Sequence, residues 1–148
     1  MPDAPAALSG LEPLRAMLRG EASAAGIGAT PDFALVEVAE GRAVFRGRSG
    51  PGHLNPTGGM HGGRIATALG GAMGCAAHST PASGEGCAST DLKVNVLRGL
   101  TPETGEVTAE GIVIDRRRRV ALVGGRLSDG RGPRLAHGTP ACMILSAA

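Results

Sequence analysis

Two periods of hydrophobic and polar positions run along this chain, and together they predict its elements. Apolar residues that recur every three or four positions predict a short amphipathic helix in LEPLRAMLRGE and a long helix from about Gly62 to His78. Apolar and polar residues that alternate predict β-strands. Two strands precede the long helix, in FALVEV and GRAVFRGR, and four follow it, in CASTDLKVNVL, EVTAEGIVI, RVALVGGRLSD and RLAHGTPACMIL.

The order of these elements predicts the fold class. One long apolar helix among antiparallel-type strands indicates an α+β domain, in which a sheet of about six strands wraps the helix. No repeat or low-complexity linker divides the chain, so we expect one domain over residues 1–148, with residues 1–30 as an N-terminal extension and helix. A sheet around a single helix keeps open edges, and pairing of two copies is the usual way to cover them.

Composition narrows the possible partners. Hydrophobic residues make up 42% of the 148 residues, which is enough for a core, whereas aromatic residues make up only 1%. Proteins that bind single-stranded or structured nucleic acid stack bases on aromatic rings, and this chain has almost none. The net charge of +2 is also too small for a general polyanion binder. We therefore expect no nucleic-acid partner.

The cysteines and the apolar segments indicate a cytoplasmic protein. The three cysteines, Cys75, Cys87 and Cys142, form no CxxC pair and no Cys/His ligand spacing, so neither a disulfide framework nor a metal site is expected. The start MPDAPAALSG lacks the basic and apolar regions of a signal peptide. The most apolar stretch, from Ile65 to Ala77, is too short to span a membrane, so no membrane partner is expected.

The stretch NPTGGMHGGRIATALGGAMG holds the densest candidate chemistry. An Asn at position 55 and a His at position 61 come directly before a Gly-Gly pair that opens the long helix. A purely structural interpretation is available, because His61 could cap the helix, the glycines could allow close packing, and Asn55 before Pro56 commonly starts a turn. A second Gly-Gly pair, Gly70 and Gly71, lies inside the helix, where each glycine costs roughly 1 kcal/mol relative to alanine.

The order of elements, together with N-x5-HGG at the start of the long helix, resembles the hotdog fold. More narrowly, it is similar to the acyl-CoA thioesterases of the phenylacetate-degradation (PaaI-like) branch. TDLKVNVLRG resembles that family's strand after the helix, and RRRVALVGGRLSDGRGPRLAHGT resembles its last hairpin. The resemblance covers roughly Phe33 to Leu145. It implies an acyl-CoA substrate, a homodimer or homotetramer, and no cofactor apart from the coenzyme A of the substrate.

The resemblance also implies roles for individual residues. Thioester hydrolysis places negative charge on the carbonyl oxygen, and the free N–H groups of a helix start can stabilise that charge. Gly62 would let the thioester carbonyl approach the backbone because it has no Cβ. His61 would fix the loop or polarise the carbonyl, and Asn55 would position the thioester or the attacking water. A hydroxyl near the start of the following strand would correspond to Ser89 or Thr90, of which Ser89 is preferred.

One position departs from the family. The family carries an Asp or Glu nine residues after the motif His, where it acts as general base or nucleophile, and here that position is Gly70. The base could be relocated to Glu85, Asp91 or a nearby His, with Ser89, Thr90 or Thr67 orienting the water. The chain could instead bind acyl-CoA without hydrolysing it. Gly70, Gly71 and Gly74 could also make room for a bulky acyl group, or allow close packing across a dimer.

The basic run from Arg116 to Arg119 also has two interpretations. Adjacent arginines are most often the solvated tip of a hairpin. In the family a basic turn here contacts the phosphates of coenzyme A, and Arg118 and Arg119 match that turn, although Arg117 replaces its glycine. Arg98 matches a position where the family often has LRP.

The sequence thus predicts an acyl-CoA thioesterase that acts on a small or aryl acyl group, with a non-catalytic acyl-CoA-binding protein as the alternative. Asp91 could also be solvated or paired with Lys93. Hydration or dehydration of an acyl thioester would need a His paired with an acid on the helix, which is not seen. The residues expected in catalysis are Asn55, His61, Gly62 and Ser89, and those expected to contact the acyl-CoA are Gly63, Gly70, Thr90, Asp91, Arg118 and Arg119.

Overall fold

The computed structural model describes residues 10–22, 33–82 and 84–146, so much of the predicted N-terminal extension lies outside the described residues. The described residues form two α-helices and one antiparallel sheet of eight strands, which confirms the α+β class. The elements are α1 (Leu11–Leu18), β1 (Phe33–Ala39), β2 (Arg42–Arg48), α2 (Gly62–His78), β3 (Glu85–Ser89), β4 (Lys93–Val96), β5 (Glu106–Arg116), β6 (Val120–Ser128), β7 (Arg134–Thr139) and β8 (Ala141–Ser146).

The sheet has eight strands rather than about six because two predicted strands are each divided. The segment predicted as one strand around TDLKVNV breaks between β3 and β4, and the last predicted strand breaks at Pro140, which has no N–H to offer the ladder. The two breaks lie side by side, since Asp91 Oδ1 accepts a hydrogen bond of 2.7 Å from Ala141 N and Thr90 N donates one of 2.9 Å to Ala141 O. Beyond the breaks the strands change partners.

The strand order is β1-β2-β5-β6-β7-β4, and β8 pairs with both β3 and β6. The strand pairing shows which residues lie at each end of the sheet, and each end can be named after the nearer end of α2. At the end we call the Gly62 end, Arg48 lies opposite Glu106 and Ser128 lies opposite Arg134. The loop before α2 is held at this end by a 2.8 Å hydrogen bond from Met60 N to Leu100 O.

The opposite end, which we call the His78 end, contains the turn between β1 and β2 and the hairpin tip at residues 117–119. Gly41 in the first of these turns has a φ of 74°, a conformation that favours glycine. Its N–H donates a 2.7 Å hydrogen bond to Ser79 Oγ, just after the last residue of α2. The helix therefore runs from one end of the sheet to the other.

A row of three glycines lets α2 lie directly on the sheet. Gly111, Gly125 and Gly138 are paired side by side on β5, β6 and β7. A Cβ at Gly111 would collide with the carbonyl oxygen of Ala72 in α2, and a Cβ at Gly125 would lie 2.6 Å from Met73 Sδ. The core built on this contact is aliphatic, as the composition predicts, and the helix contributes Ile65, Ala68, Leu69, Ala72, Met73, Ala76 and Ala77 to it.

Candidate active site

The loop before α2 is organised by the side chain of Asn55. Its Oδ1 accepts three hydrogen bonds, from Thr57 N at 2.9 Å, Thr57 Oγ1 at 2.7 Å and Gly59 N at 3.1 Å. The oxygen thus builds a local turn, as asparagine side chains commonly do. Its amide nitrogen donates to none of the described residues, so the N–H groups of Asn55 are the part that a bound carbonyl or water can use.

His61 is the N-cap of α2. Its Nδ1 accepts a 3.0 Å hydrogen bond from Gly63 N, and its backbone N–H donates at 2.8 Å to the carbonyl of His53. In neutral imidazole only one ring nitrogen accepts, so the proton is on Nε2. Because the residue is exposed, this N–H faces solvent beside the helix start.

The first turn of α2 leaves one backbone donor open. Gly63 N is bound to the His61 ring, and the N–H groups of Arg64 and Ile65 donate to the His61 carbonyl at 2.9 and 3.3 Å. Gly62 N–H donates to none of the described residues, and no heavy atom lies within 4 Å of where a Cβ of Gly62 would be. This donor is therefore unpaired within the described residues, and it belongs to an exposed residue at the end of the helix where the dipole is positive.

The second glycine pair faces an open groove along α2. The groove has a volume of about 310 Å³. Its glycines are truly uncrowded, since a Cβ at Gly74 would meet nothing within 4 Å and one at Gly70 would meet only the tip of Leu92, at 3.4 Å. Among the described residues no carboxylate lines this groove, whose walls are Leu14, Gly70, Gly71, Gly74, Cys75, His78, Cys87 and Ser89.

The two candidate replacement carboxylates are engaged elsewhere. Glu85 Oε2 accepts a 3.0 Å hydrogen bond from Ala82 N and pairs with Arg116 at 3.5 Å. Asp91 bonds to Ala141 N rather than to Lys93, so it holds the paired strand breaks. Thr90 also holds the two strand breaks together, because its Oγ1 donates a 3.0 Å hydrogen bond to the Ala141 carbonyl.

Among the predicted hydroxyl residues, Ser89 is the one that lines the groove. Its Oγ lies 3.7 Å from Cys142 Sγ. Thr67 belongs to the first turns of the helix, where its Oγ1 donates to Gly63 O at 2.9 Å. The structure therefore separates Ser89 from Thr90, which the sequence treats as alternatives.

A basic group that sequence reasoning left unspecified does line the groove. His78 lies eight residues after Gly70 and four after Gly74, so the helical period puts all three on one side of α2. Burial lowers the pKa of His78 below its ordinary value, which keeps the imidazole neutral at pH 7. Its Nδ1 lies 3.7 Å from Cys87 Sγ.

The thiols beside His78 stay protonated. Burial raises the pKa of Cys75 to about 11, and a hydrogen bond to Cys142 together with burial raises the pKa of Cys87. All three cysteines are free. Within residues 10–22, 33–82 and 84–146, no group of three or more His, Cys, Asp or Glu side chains is placed to hold a metal ion.

The predicted coenzyme A arginines lie far from Gly62 of the same chain. Arg118 and Arg119 line a space of about 530 Å³ at the His78 end, together with Glu85 and Ile144. Arg117 is tied to Asp115 at 2.8 Å. Since α2 has 17 residues, this end is about 25 Å from the Gly62 end at 1.5 Å per residue. One chain does not bring these arginines and Gly62 together.

Solved structures with this architecture are numerous, whereas neither a protein-family model nor a curated protein sequence matches the chain. A phenylacetic acid degradation-related protein from Ralstonia eutropha JMP134 is 26% identical, with a TM-score of 0.79 over 88% of this chain and 98% of that chain. A thioesterase family protein from Silicibacter pomeroyi is 20% identical, with a TM-score of 0.79 over 90% and 99%. A Streptococcus mutans UA159 protein bound to acetyl-CoA is 18% identical, with a TM-score of 0.74 over 85% and 98%.

The chain thus has the hotdog fold, and the solved structures that it resembles include thioesterase family proteins and phenylacetic acid degradation (PaaI-like) proteins. This confirms the resemblance that the Asn55 to Gly74 stretch indicates. Within the part of the chain that the structure describes, no helix has the length and apolar character needed to cross a membrane.

Proposed function

We propose that this protein is an acyl-CoA thioesterase that holds the substrate carbonyl at the start of α2. The observation that carries the proposal is the N–H of Gly62, which has no partner among the described residues and belongs to an exposed residue. An open donor at a helix start is suited to an oxygen that gains negative charge during the reaction. The thioesterase family relatives support the same chemistry.

The reaction would proceed by attack of water on the thioester carbon. As the C–O bond forms, the carbonyl oxygen becomes an oxyanion that Gly62 N–H stabilises. The free amide of Asn55 in the preceding loop and the Nε2–H of His61 at the N-cap would orient the carbonyl or the water. Collapse of the intermediate breaks the C–S bond, and the coenzyme A thiolate leaves.

The proton of the attacking water needs an acceptor, and the glycine groove offers His78. A neutral imidazole can take a proton at pH 7, which the engaged carboxylates Glu85 and Asp91 are not placed to do in this groove. Because His78 is a helix length from Gly62 of its own chain, it would serve the Gly62 of a second subunit. The site we propose is therefore shared between two copies.

Two substitutions at Gly62 test the oxyanion role. Gly62→Pro removes the N–H, and proline is well tolerated at the first position of a helix. The preceding His61 already has the extended conformation, with ψ of 133°, that a following proline requires. Gly62→Ala is the matched control, because it keeps the N–H and adds only a Cβ.

Turnover is measured as thiol released from a panel of aryl and aliphatic acyl-CoAs. We expect Gly62→Pro to lower kcat by about 10²–10³, the usual cost of one oxyanion donor, without a loss of thermal stability. Gly62→Ala should lower kcat less, because the N–H is kept and only the approach of the carbonyl is hindered. Full activity in Gly62→Pro would show that this N–H is not used.

The lack of a carboxylate among the described residues of the groove favours a second candidate, a protein that binds acyl-CoA without hydrolysing it. Gly70→Asp tests it, because the new side chain has room beside Leu92, and Gly70→Ala controls for the added Cβ. An inactive natural protein that binds acyl-CoA and gains turnover only in Gly70→Asp would establish this second function. Turnover by the natural protein, lost in His78→Gln, would exclude it.

The shared site also requires assembly, and we propose a homodimer or homotetramer. β4 is an edge strand of the sheet, and the apolar side chains of Leu92, Val96 and Leu97 around it are about half exposed. Such an edge is usually covered by another chain. A monomer in light scattering at the concentration used for turnover would contradict both the assembly and the shared site.

A further inference from the structure

A second arginine groove lies at the Gly62 end, away from the arginine run that the sequence singles out. It has a volume of about 610 Å³ and is open to solvent. We call it the Arg134 groove, and it is lined by Leu97, Arg126, Ser128, Gly130, Gly132 and Arg134. It lies where β6 ends and β7 begins, since Ser128 is paired with Arg134 in the ladder.

A short chain of backbone contacts connects this groove to the loop that opens α2. The N–H groups of Leu97 and Arg98 both donate to the Leu135 carbonyl, at 2.8 and 3.1 Å. Three residues further along, the Leu100 carbonyl accepts from Met60 N at 2.8 Å. The groove is thereby held at the same end of the molecule as the open donor of Gly62.

Arg134 gives the groove a positive charge that no described carboxylate pairs with. Arg126 binds Glu110 at 2.6 Å, and Arg42, which also binds Glu110 at 2.7 Å, is paired with Glu37 at 2.8 Å, so these two arginines and two carboxylates balance. Arg134 is exposed and makes no ion pair or side-chain hydrogen bond with any residue in the described ranges. The Arg98 side chain likewise has no such partner among the described residues.

The nearby acidic group, Asp129, forms no ion pair with the arginines of this groove within the described residues. Asp129 lies in the turn between β6 and β7, where its Oδ1 accepts a 3.0 Å hydrogen bond from Arg131 N. It therefore orders the turn beside the groove. The guanidinium of Arg134 keeps its full set of donors, a planar fork that matches the oxygens of phosphate.

We propose that the Arg134 groove binds the phosphates of a coenzyme A thioester whose carbonyl lies at Gly62 of the same chain. This inference rests on the proposed function, because it assigns the phosphate end of the same substrate. It replaces Arg118 and Arg119 as the phosphate contacts of that subunit, since those residues are a helix length away. Leu97 would contact the apolar part of the ligand that connects the two ends.

Binding without turnover is the direct test, because it does not depend on catalysis. Desulfo-coenzyme A, which lacks the sulfur, and adenosine 3′,5′-bisphosphate are titrated calorimetrically into the full-length protein. The variants are Arg134→Ala, Arg134→Lys and the double change Arg118→Ala with Arg119→Ala. Arg15→Ala, an exposed arginine on α1, is the control for the loss of one positive charge.

We expect Arg134→Ala to weaken both ligands about tenfold and to reduce the salt dependence of binding, with Arg134→Lys in between and Arg15→Ala unchanged. Weaker binding in the Arg118/Arg119 double variant, with Arg134→Ala equal to the natural protein, would overturn this inference and leave the proposed function standing. If the natural protein binds neither ligand, both the inference and the proposed function fail. Unchanged binding in both arginine variants would also overturn the inference.

Discussion

Two groups of glycines in this molecule differ in what surrounds them. In the sheet, a Cβ at Gly111 or Gly125 would run into α2, so the absence of a side chain is explained by packing. On the helix, Gly62 and Gly74 have nothing within 4 Å of a Cβ position, and packing within the chain explains neither. The same residue type thus builds the fold in one place and leaves open space in the other. Alanine at an uncrowded helix position would make the helix more stable than glycine does. A glycine kept at such a position is therefore the stronger indication of a site.

The largest expected effect is in the sheet. In Gly111→Ala the new methyl group meets the backbone carbonyl of Ala72, which cannot move aside by a rotamer change. We expect a loss of about 3 kcal/mol in the free energy of unfolding, at the upper end of ordinary overpacking. Gly125→Ala is the comparison, since its methyl meets the flexible Met73 side chain and should cost about 1 kcal/mol. Equal urea midpoints for the two variants would contradict this account of the glycine row.

The next effect has the opposite sign and lies on the helix. Gly74→Ala places a methyl group in open space in the middle of α2 and reduces the entropy of the unfolded chain. We expect the protein to gain about 1 kcal/mol of stability. Thermal unfolding at equal protein concentration measures the gain. A lower melting temperature, together with a change in assembly, would show that Gly74 is packed against a second copy.

The smallest effect concerns the pH dependence of stability. Burial lowers the pKa of His78 in the folded protein below its ordinary value of 6.5, so the unfolded chain binds this proton more readily. Stability should therefore decrease as the pH falls from about 6.5 towards the folded pKa, and recover as the pH rises. His78→Gln should flatten that part of the profile. An identical pH profile in the variant, followed by thermal unfolding between pH 5 and about 7, would contradict the burial effect.

The sequence predicts the central helix well because its apolar residues recur with the helical period. Its bounds, Gly62–His78, are those predicted. The strand break at Asp91 is not predicted, because the alternation of polar and apolar residues continues through it and indicates one strand. Its cause is a hydrogen bond between residues 50 positions apart, which no local pattern contains.

For the candidate site, the sequence offers residues, and the structure is needed for their arrangement. Asn55, His61 and Gly62 are close in sequence, so a motif is enough to place them together. The positions of the arginines could not be predicted from the sequence, because only the strand pairing shows that Arg134 lies at the Gly62 end and Arg118 at the His78 end. A basic residue after the RLSDGRGP turn was the available signal for Arg134. The position of His78 could also be predicted, because its spacing puts it on the same face of the helix as Gly70 and Gly74.

The paired strand breaks have a consequence for how the molecule opens. β3 pairs only with β8 in the described sheet, and β8 reaches the rest through three pairs with β6. These two strands form a flap joined to the main sheet by few ladder bonds and by the Asp91 carboxylate at its corner. Their amide protons should exchange with solvent as a single cooperative unit, ahead of those in β5 and β6. Cys87 and Ser89 belong to that flap, so the wall of the glycine groove is its most readily opened side.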